Sequence, residues 1–93
     1  MTGPVRDNAA ARRFELATGD AVAFIDYQRR DGRVELIHTE VPAALEGKGI
    51  GSALARGTLD LLRAEGASAQ PTCSFIARYI ERHPEYEGMV AKG

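Results

Sequence analysis

Apolar positions along this chain alternate over the first half and recur at helical spacing over the second, and Pro42 marks the change. Phe14-Glu15-Leu16, then Ala21-Val22-Ala23-Phe24-Ile25-Asp26-Tyr27, then Val34-Glu35-Leu36-Ile37-His38-Thr39-Glu40-Val41 are rich in β-branched and aromatic residues and predict three strands. Thr18-Gly19-Asp20 separates the first two, and Arg30-Asp31-Gly32-Arg33 the next, its Asp-Gly pair being a hairpin signal. Three antiparallel strands in a meander are the simplest arrangement. Residues 1–12 are polar or small and read as a flexible lead-in.

Beyond Pro42, Ile50, Ala53, Leu54, Gly57, Leu61 and Ala64 recur on one helical face, and Gly66 supplies a stop, so a helix is predicted over about residues 49–65. A short extended segment through Pro71 and Thr72 follows. Phe75, Ile76, Tyr79 and Ile80 form a second helical stripe that Thr72 or Ser74 can cap and Pro84 ends. Strand, strand, strand, helix, strand, helix predicts an α/β fold of the α+β kind, in which the strand between the helices pairs parallel to the third.

Composition bounds the reading. At 93 residues, 44% hydrophobic and 27% charged, the chain makes one globular domain, expected over residues 13–93. A net charge of −1 argues against nucleic-acid binding. Cys73 is the only cysteine, so no intramolecular disulfide forms and a reducing compartment is expected. The start of the chain lacks the apolar run of a signal peptide, and nowhere do about 18 apolar residues follow one another, so a cytoplasmic protein away from membranes is expected. His38, Cys73 and His83 lack metal-ligand spacing, and no metal is expected.

The chemical signal lies between Leu45 and Leu54, where Gly47, Gly49 and Gly51 alternate with Lys48 and Ile50 and lead into Ser52 and the helix. Glycines let successive N–H groups converge on an anion, the helix start adds free amides and a positive dipole, and Lys48 adds a charge. The plainer reading is a flexible turn. A dinucleotide fingerprint needs G-x-G-x-x-G with an acidic residue about twenty positions on, and a P-loop needs a hydroxyl after its lysine; neither is met.

Strand order and loop together resemble the core of the GNAT acetyltransferase superfamily, whose pyrophosphate loop reads Q/R-x-x-G-x-G/A. Glu46-Gly47-Lys48-Gly49-Ile50-Gly51 matches both glycine positions and places Glu46 where Gln or Arg is usual. The likeness is closer to small stand-alone GNAT-like proteins: His38-Thr39-Glu40-Val41-Pro42, the glycine run, Pro71-Thr72-Cys73, Phe75, Tyr79-Ile80 and His83-Pro84-Glu85-Tyr86 stand in the same order over most of residues 14–87. The resemblance implies acetyl-CoA binding, with the pyrophosphate on the amides of Gly47, Lys48, Gly49, Ile50, Gly51 and Ser52. It places the pantetheine arm between the third strand and the strand ending near Thr72, with the thioester near Val41.

Transfer to an amine then needs an uncharged nucleophile and a group to take its proton. Glu40 and His38 are the candidate bases, and His38 is equally a hydrogen-bonded core residue beside Val34 and Leu36. Tyr79 lies near the position where many GNAT enzymes carry a proton donor to the CoA sulfur, and it equally suits a packed ring. Cys73, at a helix start that can lower its pKa, is either a nucleophile forming an acetyl-thioester with His38 as base or a small buried hydrophobe. Arg56 and Arg78 are solvated or reach a CoA phosphate, and His83 caps or packs. Three readings follow: an acetyl-CoA-dependent N-acetyltransferase, a non-catalytic acetyl-CoA or CoA-binding module, and an interaction domain that has lost the ligand. The acceptor is an unidentified amine or protein. The walls of a full acetyltransferase are absent from the pattern, so the acceptor pocket is expected to be shallow, or formed by a second subunit or by the target protein itself, in a monomer or homodimer.

Overall fold

The computed structural model describes residues 4–91. Five strands form one sheet in the order β1 (Arg6–Asn8), β2 (Arg13–Thr18), β3 (Ala21–Arg30), β4 (Arg33–Glu40), β5 (Ser68–Pro71). All neighbours are antiparallel except β4 and β5, which are parallel and joined by helix α1 (Ile50–Glu65). Helix α2 (Ser74–Arg82) follows β5 directly, and a tight helical turn (Pro84–Met89) follows α2. The expected meander, crossover helix, parallel strand and second helix are all present.

Local chemistry explains the joints. Asp31 and Gly32 both take positive φ, 52° and 78°, which is what the two-residue turn between β3 and β4 demands. Gly66, at φ 75°, ends α1 in the left-handed cap, its N–H bonding to the carbonyls of Leu62 and Arg63.

The register puts every buried strand residue on one face: Phe14 opposite Ile25, Leu16 opposite Ala23, Tyr27 opposite Leu36, Val34 opposite Ala69. Both helices cover that face, α1 through Ile50, Leu54, Ala55, Leu59 and Leu62, and α2 through Ile76, Tyr79 and Ile80. The other face is open, with Val22 and Ile37 exposed and the Arg13 guanidinium 4.3 Å over the Phe24 ring. The buried line of α1 also includes Thr58, while Ala53, Leu61 and Ala64, expected in the core, are exposed.

Within the lead-in expected over residues 1–12, the described part from residue 4 carries a strand. Arg6, Asp7 and Asn8 pair with Glu15, Phe14 and Arg13. Polar residues suffice because β1 is an edge, held by side-chain bonds: Tyr27 donates its hydroxyl to Asp7, and Arg29 bridges Asp7 at 3.1 Å and Glu65 of α1 at 2.7 Å. Residues 1–3 lie outside the described residues.

Val5 anchors the same segment by filling the notch left by Gly57 on α1, where a Cβ would collide with its methyl groups. A helix-interior Gly→Ala change ordinarily gains about 1 kcal/mol. Here Gly57→Ala is expected to lose roughly 1–3 kcal/mol through overpacking, read as a lower thermal midpoint. Adding Val5→Ala should recover part of that loss, and additive effects of the two changes would refute the contact.

Candidate functional site

The site is built where β4 and β5 stop pairing. Their register runs from Arg33 opposite Ser68 to Leu36 opposite Pro71, and the Cys73 N–H then closes on the Leu36 carbonyl at 2.9 Å. From Ile37 to Glu40, β4 continues without a β5 partner. On its other side the register slips: Tyr27 faces Leu36 but Asp26 faces His38, so Ile37 is a bulge residue.

That bulge decides where the candidate side chains point. Leu36 faces the helices, Ile37 and His38 both face the open side, and Thr39 turns inward opposite buried Ile25. His38 and Glu40 are therefore neighbours on the open face, 58% and 59% exposed, with His38 Nε2 3.4 Å from Glu40 Oε1. A buried His38 beside Val34 and Leu36 is excluded by this geometry. Thr39, on the opposite side of β4 from His38, is the β4 side chain that meets the Cys73 thiol, its Oγ1 3.2 Å from Sγ.

Cys73 is the residue before α2 and is half-buried. Burial pushes its thiol up, but the Thr39 hydroxyl and the amides of Ile76 and Phe75 favour the thiolate more, and the net pKa lies below the ordinary cysteine value. Those amides act at the helix start without forming a side-chain cap bond.

The expected anion loop follows β4 through half-buried Val41, Pro42 and a helical turn, Ala43–Leu45, pinned by buried Leu45. Gly47 and Gly49 take φ of 78° and 73°, and a Cβ on either would meet nothing within 4 Å, so backbone conformation alone calls for glycine there. Gly49 is the N-cap of α1; its carbonyl accepts the Ala53 N–H at 3.0 Å. The amides of Ile50, Gly51 and Ser52 have no carbonyl four residues back within the helix. No side chain caps them and no acidic residue lies in the first turn, so the positive helix end faces outward beside exposed Lys48.

Gly51 is glycine for another reason. The Phe75 ring lies over it, with Cζ 2.8 Å from where a Cβ would stand, which brings the first turns of α1 and α2 together. Thr39 and Phe75 are the site residues the sequence pattern does not single out. The bulge hides the first, and the second sits in a stripe that looks like core.

The remaining candidates are placed as follows. Tyr79 is buried, its ring stacked on His83 with centroids 3.9 Å apart; burial raises its pKa, partly offset by Arg56. No hydrogen bond joins its hydroxyl to Cys73 among the described residues. His83 donates from Nδ1 to the Tyr79 carbonyl at 2.8 Å, the packing role expected of it. Arg56 and Arg78 are exposed. Two apolar grooves lie elsewhere, one along Val5, Arg56 and Leu61, the other along Pro71, Ile80 and Val90. Among the described residues no cluster of His, Cys, Asp or Glu is arranged to hold a metal, and no helix is long and apolar enough to cross a membrane.

The model of the GCN5-related N-acetyl-transferase family matches residues 13–89. The chain belongs to that family. It is also similar to the proteins named NATD1 of Gallus gallus and Mus musculus, 43% identical over 51 residues, or 55% of this chain and 46% of each relative. The human NATD1 protein shows the same identity over 45% of its length, so the chain matches less than half of these curated relatives. A GCN5-like protein of Staphylococcus aureus, solved by NMR, superposes with a TM-score of 0.71 at 22% identity, covering 96% of this chain and 88% of that one. At that identity the likeness shows the shared fold.

If the α2 start and Thr39 hold the thiolate, alkylation of Cys73 in the native protein should titrate below the midpoint of a free cysteine. Thr39→Val, which removes one donor, should move that midpoint upward. An unchanged midpoint would remove Thr39 from the account.

Proposed function

We propose that this protein binds acetyl-CoA on the loop of residues 47–52 and transfers the acetyl group to an amine. The observation that carries the proposal is the uncapped start of α1 behind two positive-φ glycines, joined through Phe75 to the start of α2 where Cys73 stands. Family membership supports the same ligand, because pyrophosphate needs convergent amides and the loop supplies them without crowding. The amides of Gly47, Lys48, Gly49, Ile50, Gly51 and Ser52 would hold the pyrophosphate, and the arm would pass Val41 toward the opening between β4 and β5.

Two routes of transfer suit the arrangement. In the first, the amine approaches from the open face, attacks the thioester carbonyl directly and loses its proton to Glu40 or His38; the CoA sulfur leaves and is protonated, with Tyr79 the candidate donor. In the second, the Cys73 thiolate attacks the same carbonyl and CoA leaves as a thiol after taking a proton. The acetyl group then passes from Cys73 to the amine, which gives up a proton as the thiolate is restored. The lowered thiol pKa favours the second route.

A second reading, a module that holds acetyl-CoA or CoA without turnover, is favoured by one observation: nothing among the described residues walls the open face of the sheet where an acceptor would sit.

Calorimetric titration with acetyl-CoA should show binding by the wild type. Gly49→Val, which forces a β-branched residue into positive φ at a cost of roughly 1–3 kcal/mol, should weaken binding about tenfold or more. No heat with the wild type would overturn both readings. Intact mass after incubation with acetyl-CoA should show one added acetyl group that Cys73→Ala abolishes. If transfer to amines persists in Cys73→Ala without an adduct in the wild type, the direct route holds, and absence of transfer to any amine leaves the binding module.

A further inference from the structure

We propose that the exposed face of Phe75 is the platform on which the ligand's uncharged arm lies between its phosphate end and its acyl end. The inference rests on the reading of residues 47–52 as the acetyl-CoA loop and adds a binding residue to it.

Phe75 breaks the pattern of its own helix. In the stripe that it shares with Ile76, Tyr79 and Ile80, those three are 0%, 8% and 5% exposed, whereas Phe75 is 40% exposed. Beyond its contact with Gly51, this ring at the first turn of an amphipathic helix leaves apolar surface in water. The tip of the ring lies over Gly51, with Cζ 2.8 Å from where a Cβ would stand, so a side chain at position 51 would have to displace it. One of the three loop glycines is therefore set by this ring and not by backbone conformation.

The ring's position in the chain gives it a task. It touches the second residue of α1, within the anion loop, and it follows Cys73 by two residues. A ligand with phosphates on the amides of residues 47–52 and a thioester at Cys73 has to cross the space beside this ring. The crossing portion of acetyl-CoA is a run of methylenes, geminal methyls and neutral amides. An aromatic face suits such a segment because it removes apolar surface from water without demanding a charge. No arginine or lysine ring-face contact competes for Phe75 among the cation–π pairs of the described residues, which involve Phe24, Tyr27 and Tyr86.

The test separates the two ends of the ligand. Backbone amide shifts are followed on titration with CoA and, separately, with ADP, which carries the pyrophosphate and lacks the arm. In the wild type, contacts by nuclear Overhauser effect are expected between the Phe75 ring protons and the geminal methyls of bound CoA. Phe75→Ala should raise the Kd for CoA about tenfold, the scale of losing one buried aromatic contact, while residues 47–52 still shift and the response to ADP is unchanged. Phe75→Leu should recover part of the affinity, and thermal melts confirm that each variant is folded. Missing ring-to-methyl contacts, an unchanged CoA affinity in Phe75→Ala, or an equal loss for ADP and CoA would each overturn the platform. If the wild-type loop does not respond to CoA at all, the reading of the loop itself fails first.

Discussion

The parallel pairing of β4 with β5 is the constraint on which the rest of this molecule depends. Antiparallel neighbours can be joined by two residues, but a parallel pair needs a crossover, and here α1 supplies it. A second helix then leaves β5 directly, so α1 and α2 both begin at the same end of the sheet, beyond adjacent strands. Two positive helix ends, the thiol at one and the glycine loop at the other, follow from that single topological choice. The pair also ends early. Pro71 has no N–H to extend the ladder and β4 bulges at Ile37, so the two strands part where the helix starts converge.

Within this frame the alternating glycines do two jobs. Gly47 and Gly49 turn the chain through positive φ so that it enters α1 with unbonded amides outward. Gly51 has ordinary helical geometry and is empty of a side chain because Phe75 occupies the space. Substituting either kind would damage the loop, but for different reasons: backbone strain in one case, displacement of an aromatic ring in the other. Glu46, which departs from the superfamily's usual residue at that position, is exposed at the head of the loop and leaves the glycine geometry intact.

Much of the architecture was legible because its signals are strong and local. Alternation in Phe14-Glu15-Leu16, the Asp31-Gly32 turn, the glycine run and the Gly66 stop each correspond to an observed element. What escaped reading depends on partners distant in the sequence. β1 has no apolar alternation, and its order comes from Tyr27, Arg29 and the Gly57 notch, none of which is near it in the chain. The buried face of α1 is rotated from the expected one because Thr58 and Ala55 face the core while Leu61 does not. Phe75 looked like core, since helical spacing cannot show that the first residue of an apolar stripe overhangs the layer that covers the rest.

The bulge at Ile37 carries the largest consequence per residue. Side chains on a strand alternate with period two, so a regular β4 that buries Leu36 would also turn His38 and Glu40 toward the helices and leave Thr39 outside. One extra residue reverses all three: Thr39 meets Cys73, while His38 and Glu40 face the open side. Nothing in Leu36-Ile37-His38-Thr39 marks this, because no glycine or proline accompanies the slip. The Thr39 side chain that meets the thiol and the two candidate bases thereby stand on opposite faces of one sheet, along the stretch of β4 beyond Leu36 that has no β5 partner. On the proposed covalent route, an acyl group on Cys73 and an amine beside Glu40 or His38 would start on opposite sides of β4 and would have to meet next to that unpaired stretch.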